Sequence, residues 1–435
     1  MQLNKSLSFS AALSAAVSAL FVAPVTSVKA EESNAWKLDS AVMYYGETDR
    51  VQAVEVIVGG KKEFEDGHFL DLKFTFDTLT GASATGAVAQ PNIQSFTRPS
   101  GNGRYTVSAN ETPLDDTFKD TRVQLNAQWT QPLKGEYTLS TGAHLSKEYD
   151  YLSLGINAGL AREFNQKNTT VSAGLSLGQD TITPEGGLPI PLYEMPHYIN
   201  SPNGQPNNTE GSSSDFDASR DRSSDSKQIV DLLFGVTQVI NRRFITQFNY
   251  SYSNVDGYQT DPFKVVSVVD ENGVTLNNIY ESRPDKRQKN SVYAQGKYHL
   301  SKSVVDVSYR YFWDDWGIKS NSIDAKYWMP MGKGYLEPHI RYYQQDEADF
   351  YQPFVTRQPE VDSNVSADYR IGKLTGLTLG LSYGFPLNNG HEISFRAELY
   401  RQKVTDPGVN NIGVINQLDI FPDVDAVIFQ TNYSF

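Results

Sequence analysis

Ten charged side chains pose the chemical question for this chain. Asp77, Asp115, Asp116, Asp261, Asp314, Asp315 and Asp349 supply carboxylates, and Arg122, Arg310 and Arg341 supply fixed cations. Carboxylates gathered in one place hold hard cations through oxygen, and guanidinium groups recognise oxyanions. His144 and His339 are candidates for a transition-metal site, and each would need a third ligand nearby. Cysteine is absent, so disulfides, thiol catalysis and zinc–thiolate sites are excluded. Asp314 and Asp315 are adjacent acids of the type used in general acid–base hydrolysis, but no histidine lies near them in sequence. No Gly-x-Ser-x-Gly, phosphate loop or dinucleotide-binding box stands in a usable context, and no cofactor is expected. A hydrolase would require folding to bring His144 or His339 against a loop acid such as Asp315.

The elements that must position these groups alternate with period two. Leu70, Leu72, Phe74 and Phe76 alternate with Asp71, Lys73, Thr75 and Asp77. Val123, Leu125, Ala127 and Trp129 alternate with Arg122, Gln124, Asn126 and Gln128, and Leu336, Pro338, Ile340 and Tyr342 with Glu337, His339 and Arg341. Such segments of roughly ten residues, apolar on one face and polar on the other, are the pattern of membrane-spanning β-strands. Composition agrees: only 39% of residues are hydrophobic and mean hydropathy is −0.46, yet aromatics reach 12%, with 25 tyrosines. Strands that are half polar and end in aromatic girdles give this combination.

Short turns are expected at 65–67, 132–135, 164–167, 241–242, 301–302, 330–334 and 386–390. Longer connections are expected at 81–119, 181–226, 255–287, 346–362 and 404–423. Short and long alternate as periplasmic turns and extracellular loops do. With 365–383 taken as one bulged strand across Gly372 and Gly376, parity gives about 16 strands, with roughly 14 or 18 as alternatives. The expected fold is therefore all-β, a transmembrane up-and-down antiparallel barrel roughly 30 Å across. The seven acids then fall at extracellular strand ends or loops, and Arg122, Arg310 and Arg341 face the lumen toward that end. Two readings follow: a rim that selects a solute or binds a cation, or ion pairs that pin the loops, with acids meeting lipopolysaccharide through divalent ions.

Both ends of the chain carry processing signals. Lys5, the weakly apolar stretch from Leu7 to Val25, and the small residues Val28 and Ala30 read as a signal peptide cleaved after Ala30, with residues 31–435 as the barrel. That implies export through the general secretory pathway to the bacterial outer membrane. Of 38 basic residues, Lys5 and Lys29 leave with the peptide, so 36 face 51 acids at a net charge of −15, and nucleic acid is excluded as a partner. At the other end Phe429, Tyr433 and Phe435 share a face, and an aromatic terminus resembles the signal read by the barrel-assembly machinery.

Several boxes resemble an uncharacterised family of Gram-negative outer-membrane barrels. They are Asp77-Thr78-Leu79-Thr80-Gly81-Ala82-Ser83, Pro113-Leu114-Asp115-Asp116-Thr117-Phe118, Gly257-Tyr258-Gln259-Thr260-Asp261-Pro262-Phe263-Lys264, Arg283-Pro284, Tyr309-Arg310-Tyr311-Phe312-Trp313-Asp314-Asp315-Trp316, and Arg341-Tyr342-Tyr343-Gln344-Gln345 with Ala348-Asp349-Phe350-Tyr351. The resemblance implies fold and location and brings no established activity. Genes of such barrels sit beside a small lipoprotein and a periplasmic flavin transferase, which implies a small periplasmic lipoprotein or redox protein as partner. The favoured function is a porin-like channel for a small hydrophilic solute or metal ion. A non-conducting sheath for a periplasmic partner is the alternative, and an outer-membrane hydrolase comes third.

Overall fold

The computed structural model describes residues 36–101, 103–196, 211–388, 390–405, 412–420 and 423–435. The expected signal peptide lies outside them. The strands begin with β1 (Trp36–Glu47), β2 (Gln52–Glu63), β3 (Phe69–Ala84), β4 (Gln94–Thr97), β5 (Arg104–Val107), β6 (Leu114–Leu133) and β7 (Tyr137–Lys147). They continue with β8 (Tyr151–Phe164), β9 (Thr169–Ile182), β10 (Leu188–Pro189), β11 (Arg220–Arg222), β12 (Asp225–Asn241), β13 (Phe244–Gly257), β14 (Val265–Val269) and β15 (Thr275–Tyr280). The last are β16 (Lys286–His299), β17 (Val304–Asp314), β18 (Lys319–Met331), β19 (Gly334–Gln345), β20 (Leu374–Pro386), β21 (Glu392–Val404) and β22 (Val424–Ser434).

Sixteen of these close into one antiparallel barrel; only the pairs β4–β5, β10–β11 and β14–β15 stand apart from it. Each wall strand pairs with the next wall strand in chain order, and β22 returns to β1 in register from Asp39↔Ser434 to Glu47↔Ala426. The backbone of Phe435 then exchanges both hydrogen bonds with Leu38 at 2.9 Å, so the last residue helps seal the barrel.

The alternation has the consequence expected of it. Val42, Phe74, Leu125, Phe234, Ile340 and Phe429 stand exposed on the outer face. Leaving such side chains in water forgoes about 1.5–3 kcal/mol each, and a bilayer removes that cost. Thr75, Ser140, Ser176, Asn249, Ser291 and Thr378 occupy inward positions and are buried. The inner face of the wall is thus mainly polar, with a small apolar cluster of Tyr45, Ala53 and Ala426.

All seven expected short turns join wall strands at the end that carries the termini. At the opposite end three connections are tight (48–51, 148–150 and 315–318), and five are long (85–113, 183–224, 258–285, 346–373 and 405–423). The long ones pack together into a cap with its own apolar cores. Leu192, Val266, Val268, Ile279, Val355 and Val365 meet in one of them, Val88, Val269, Phe354 and Ile415 in another.

One expected strand is corrected. Residues 365–373 are not wall: β20 starts at Leu374, and Tyr369–Ile371 form a 3-10 turn. Val365 bridges to Ser282, Ser366 to Tyr351, and Val365, Ser366, Ala367 and Asp368 are all buried. A segment buried on both faces by cap residues has no lipid face, although its apolar–polar alternation imitates one. The total of 16 survives because the stretch counted as a single strand. The wall also reaches further than expected at 81–119, because a bulge between Gly81 and Ser83 carries β3 and β6 past the break. Gly81 has φ +129°, and a Cβ there would lie 2.3 Å from the Arg50 carbonyl oxygen, so the bulge requires glycine.

Candidate functional site

The cap is pinned by a buried ionic cluster on its lumen side. Asp261, Lys264, Glu281 and Asp368 are at most 8% exposed. Arg283 places Nε 2.6 Å from Glu281 and Nη2 2.7 Å from Asp368. Arg370 donates Nε to Asp368 at 2.7 Å and Nη2 to Asp261 at 2.8 Å. The Asp261 amide donates to Glu281 at 2.7 Å, and Lys264 Nζ donates to the Ala84 carbonyl at the end of β3. Three acids therefore meet three bases, and the cluster ties two loops to each other and to the wall. Burial opposes ionisation of Asp368, but Arg370 and Arg283 overcome it and hold its carboxyl well below the usual range. Burial, aided by Arg370, lowers Lys264 to about 8, and burial raises Glu281.

Two cavities flank this cluster, sharing Asp261 and Arg370 as a common wall. The first, about 340 Å³, is acidic: Asp77, Asp115, Asp120, Glu148, Asp150, Glu185 and Asp261 line it against Arg98, Lys119, Arg122, Lys264 and Arg370. Inside it Arg122 sets Nε and Nη2 each 2.6 Å from Asp77, its partner across β3–β6, with Glu55 3.7 Å away. The second, about 430 Å³, is basic and aromatic: Lys227, Arg283, Arg287, Lys289, Arg310 and Arg370 line it with Tyr151, Tyr258, Phe312, Trp316 and Tyr343. A third space of about 890 Å³ lies among the loops and shares Asp225, Tyr258, Thr260 and Arg283 with the second.

The structure brings some of the expected residues together and separates others. Asp77, Asp115, Arg122 and Asp261 meet in the acidic cavity, and Arg310 lines the basic one. The side chain of Asp116 lies outside the described residues. Asp314 and Asp315 serve the tight turn 315–318. Asp314 accepts Arg287 Nε and Nη2 at 2.8 and 2.6 Å and the amides of Trp316 and Ile318 at 3.1 and 2.9 Å, while Asp315 accepts the Gln288 amide at 2.8 Å. Asp349 is exposed, and its carboxyl lies against the α-carbon of Gly317 in that turn. Arg341 binds Asp324 at 2.8 Å.

His339 lies between two wall acids, with Nε2 2.8 Å from Asp324 and Nδ1 2.9 Å from Glu398. Both ring nitrogens are thereby occupied by strand carboxylates, neither of them a loop acid. His144 places Nε2 3.3 Å from Ser153 Oγ across β7–β8. The one cluster of three potential metal ligands among the described residues is instead Asp120, Glu148 and Asp150, which contains no histidine. Phe429 and Phe435 lie exposed on the outer face, and Tyr433 packs beside Phe435 with its hydroxyl 2.7 Å from His391.

Sequence reasoning missed Glu281, Arg287, Lys289, Asp324, Asp368, Arg370 and Glu398. The wall members were discoverable, since Arg287, Lys289, Asp324 and Glu398 occupy inward positions of alternating strands. Asp368 and Arg370 were hidden because their segment reads as lipid-facing strand.

The family model described as "Protein of unknown function (DUF3570)" matches residues 10–435. No curated protein matches the chain in sequence. Among solved structures, a bacterial polysaccharide outer membrane secretin aligns with TM-score 0.43 and 9% identity over 93% of this chain and 100% of that one. The FrpB iron transporter of Neisseria meningitidis (F3-3 variant) aligns with TM-score 0.42 and 11% identity over 93% and 82%. OccK3 (OpdO) of Pseudomonas aeruginosa aligns with TM-score 0.39 and 11% identity over 92% and 95%.

Proposed function

The chain belongs to the DUF3570 family of proteins of unknown function, and from its own geometry we propose a capped, porin-like channel of the outer membrane that passes a small hydrophilic solute. The observation that carries this reading is the row of spaces through the cap. The loop space adjoins the basic cavity at Tyr258 and Arg283, and the basic cavity adjoins the acidic one at Asp261 and Arg370. Beyond them the lumen is lined by serine, asparagine and glutamine, which hydrate a polar solute. Polar spaces that adjoin one another from the loops toward such a lumen support passage rather than a purely structural cap.

The rest of the proposal follows from location. The N-terminal thirty residues direct export through the general secretory pathway, lipid and lipopolysaccharide surround the apolar band, and the assembly machinery reads Phe429, Tyr433 and Phe435. A metal ion is the alternative cargo, favoured by the acids of the first cavity. The packed cap also suits a second reading, a non-conducting sheath that docks a periplasmic lipoprotein or redox protein.

Single-channel recording of the purified, refolded barrel in a planar bilayer separates these. A channel gives steady openings, and Tyr258→Ala, which removes the ring between loop space and basic cavity, raises the conductance. Silence from both wild type and variant overturns the channel reading and leaves the sheath.

A further inference from the structure

The charges around the basic cavity do not cancel locally. Each acid that lines it already has a cation: Asp180 lies 3.8 Å from Lys227, Asp225 3.1 Å from Arg222, Asp261 2.8 Å from Arg370, and Asp368 2.7 Å from Arg283. Arg287 is engaged by Asp314. Arg310 is different. It rises from β17 beside the Tyr293 ring, 5.9 Å from its centroid, and among the described residues it pairs with no carboxylate. The cation Arg341 on β19 is its charged neighbour, while Arg287 and Lys289 on the adjoining strand β16 line the same cavity and are offset by Asp314 and Asp231.

A half-buried guanidinium turned into a partly open cavity, with no carboxylate partner, is a ready site for an anion from solution. Five donors in a planar fork suit a carboxylate or phosphate. The rest of the wall suits a flat apolar body: Phe312, Tyr343 and Tyr258 face the same space, and Trp316 behind them is covered by Arg287 and Phe350. The Tyr258 hydroxyl is buried with no hydrogen-bond partner, so it has a proton to donate where the loop space adjoins. At about 430 Å³ the cavity falls within the roughly 300–1,000 Å³ of small-molecule sites.

We propose that this cavity is a binding site for a small planar organic anion, its carboxylate or phosphate held by Arg310 and its ring stacked between Phe312 and Tyr343. The proposal deepens the channel reading by naming the solute class and rests on that reading for its physiological sense. Its direction is opposite to the cation preference that an acidic rim would impose.

The test is equilibrium dialysis of the refolded full-length barrel in micelles at low ionic strength, with four naphthyl probes followed by their fluorescence. The expected result is retention of 1-naphthoate and 1-naphthyl phosphate at least tenfold more tightly than 1-naphthylmethylammonium or 1-naphthylmethanol. Arg310→Gln should cut that preference about tenfold, and Arg310→Lys should keep most of it. Equal or tighter binding of the ammonium or the alcohol to wild type overturns the proposal without any variant, as does full retention of the preference in a folded Arg310→Gln barrel. Because dialysis does not require conduction, a barrel that binds the anions yet is silent in a bilayer sinks only the channel reading. One that conducts without anion preference in dialysis sinks only this inference.

Discussion

Replacing Asp314 with alanine separates a rim residue from a structural one. Its side chain is fully buried, and Arg287 beside it is 14% exposed and packed 4.2 Å over the Trp316 ring. Truncation strands the guanidinium and removes the acceptor of two amides in a turn whose Trp316 and Ile318 are each 3% exposed. Breaking one side of a buried pair costs about 3–5 kcal/mol, and the orphaned amides add about 1 kcal/mol each. Residual exposure and stacking of Arg287 reduce the first figure, so the total should be about 4 kcal/mol. Asp314→Asn keeps an oxygen for the amides and should cost about half as much. Urea unfolding of the vesicle-embedded barrel reads the total. A double-mutant cycle with Arg287→Met should give a coupling of at least about 2 kcal/mol. A loss under about 1 kcal/mol with no coupling would refute the structural role, and a changed ion selectivity at unchanged stability would restore Asp314 to the rim.

Two further outcomes test the cap. Lys264, lowered from 10.5 to about 8 in the folded chain, leaves the unfolded state binding more protons between those values, so stability should rise with pH from about 8 upward. The slope is at most about 1.4 kcal/mol per pH unit and should vanish in Lys264→Met when urea midpoints are compared between pH 7.5 and 9.5. Gly81→Ala sets a Cβ against the Arg50 backbone at φ +129°, and the same change at Gly257, φ +121°, meets the Ser226 carbonyl at 2.4 Å. Each should cost about 2 kcal/mol or more in the same unfolding assay, against about 1 kcal/mol for Gly332→Ala, which meets only the strain of φ +61° with open space around it.

The wall was legible because a membrane barrel writes its topology into the chain twice, once as alternation and once as loop length. Both signals are local, and β3, β6 and β19 show them plainly. The cap was not legible, because its order comes from contacts between distant loops. Val365 to Asp368 alternates like a strand, yet Val365 and Ala367 join an apolar core with Leu192 and Ile279 while Asp368 faces Arg283 and Arg370. The candidate acids lie near the loop-bearing end, but spacing does not reveal whether a carboxylate meets solvent, an arginine or a turn amide. Asp77, Asp261 and Asp314 are all acids of that end, and each proves to be the partner of one named arginine.

That pairing also decides where selectivity can reside. A barrel wall gains its hydrophobic stability from lipid, so loops that are to stay folded above it must bring a core and satisfy their own charges. The cap does both, and its ionic cluster balances Asp261, Glu281 and Asp368 against Lys264, Arg283 and Arg370. A balanced, buried cluster produces little field beyond its own neighbours, since each carboxylate sits within hydrogen-bond reach of its counter-ion. On the channel reading, the field that a solute meets comes instead from charges outside that cluster, wall residues without a counter-ion among them. Arg310 meets that description, and it stands on β17 and β16–β18 ladders that hold it in place through register with Tyr293 and Ser322. A rigid wall that carries a selecting charge apart from this balanced cluster allows the loops to open without altering that charge. Cap variants that keep the charge, such as Lys264→Arg, should therefore change the frequency of opening and leave the selectivity measured in asymmetric salt where it was, whereas Arg310→Gln should move the selectivity. A selectivity that follows the cap substitutions instead would place the determining charges in the loops.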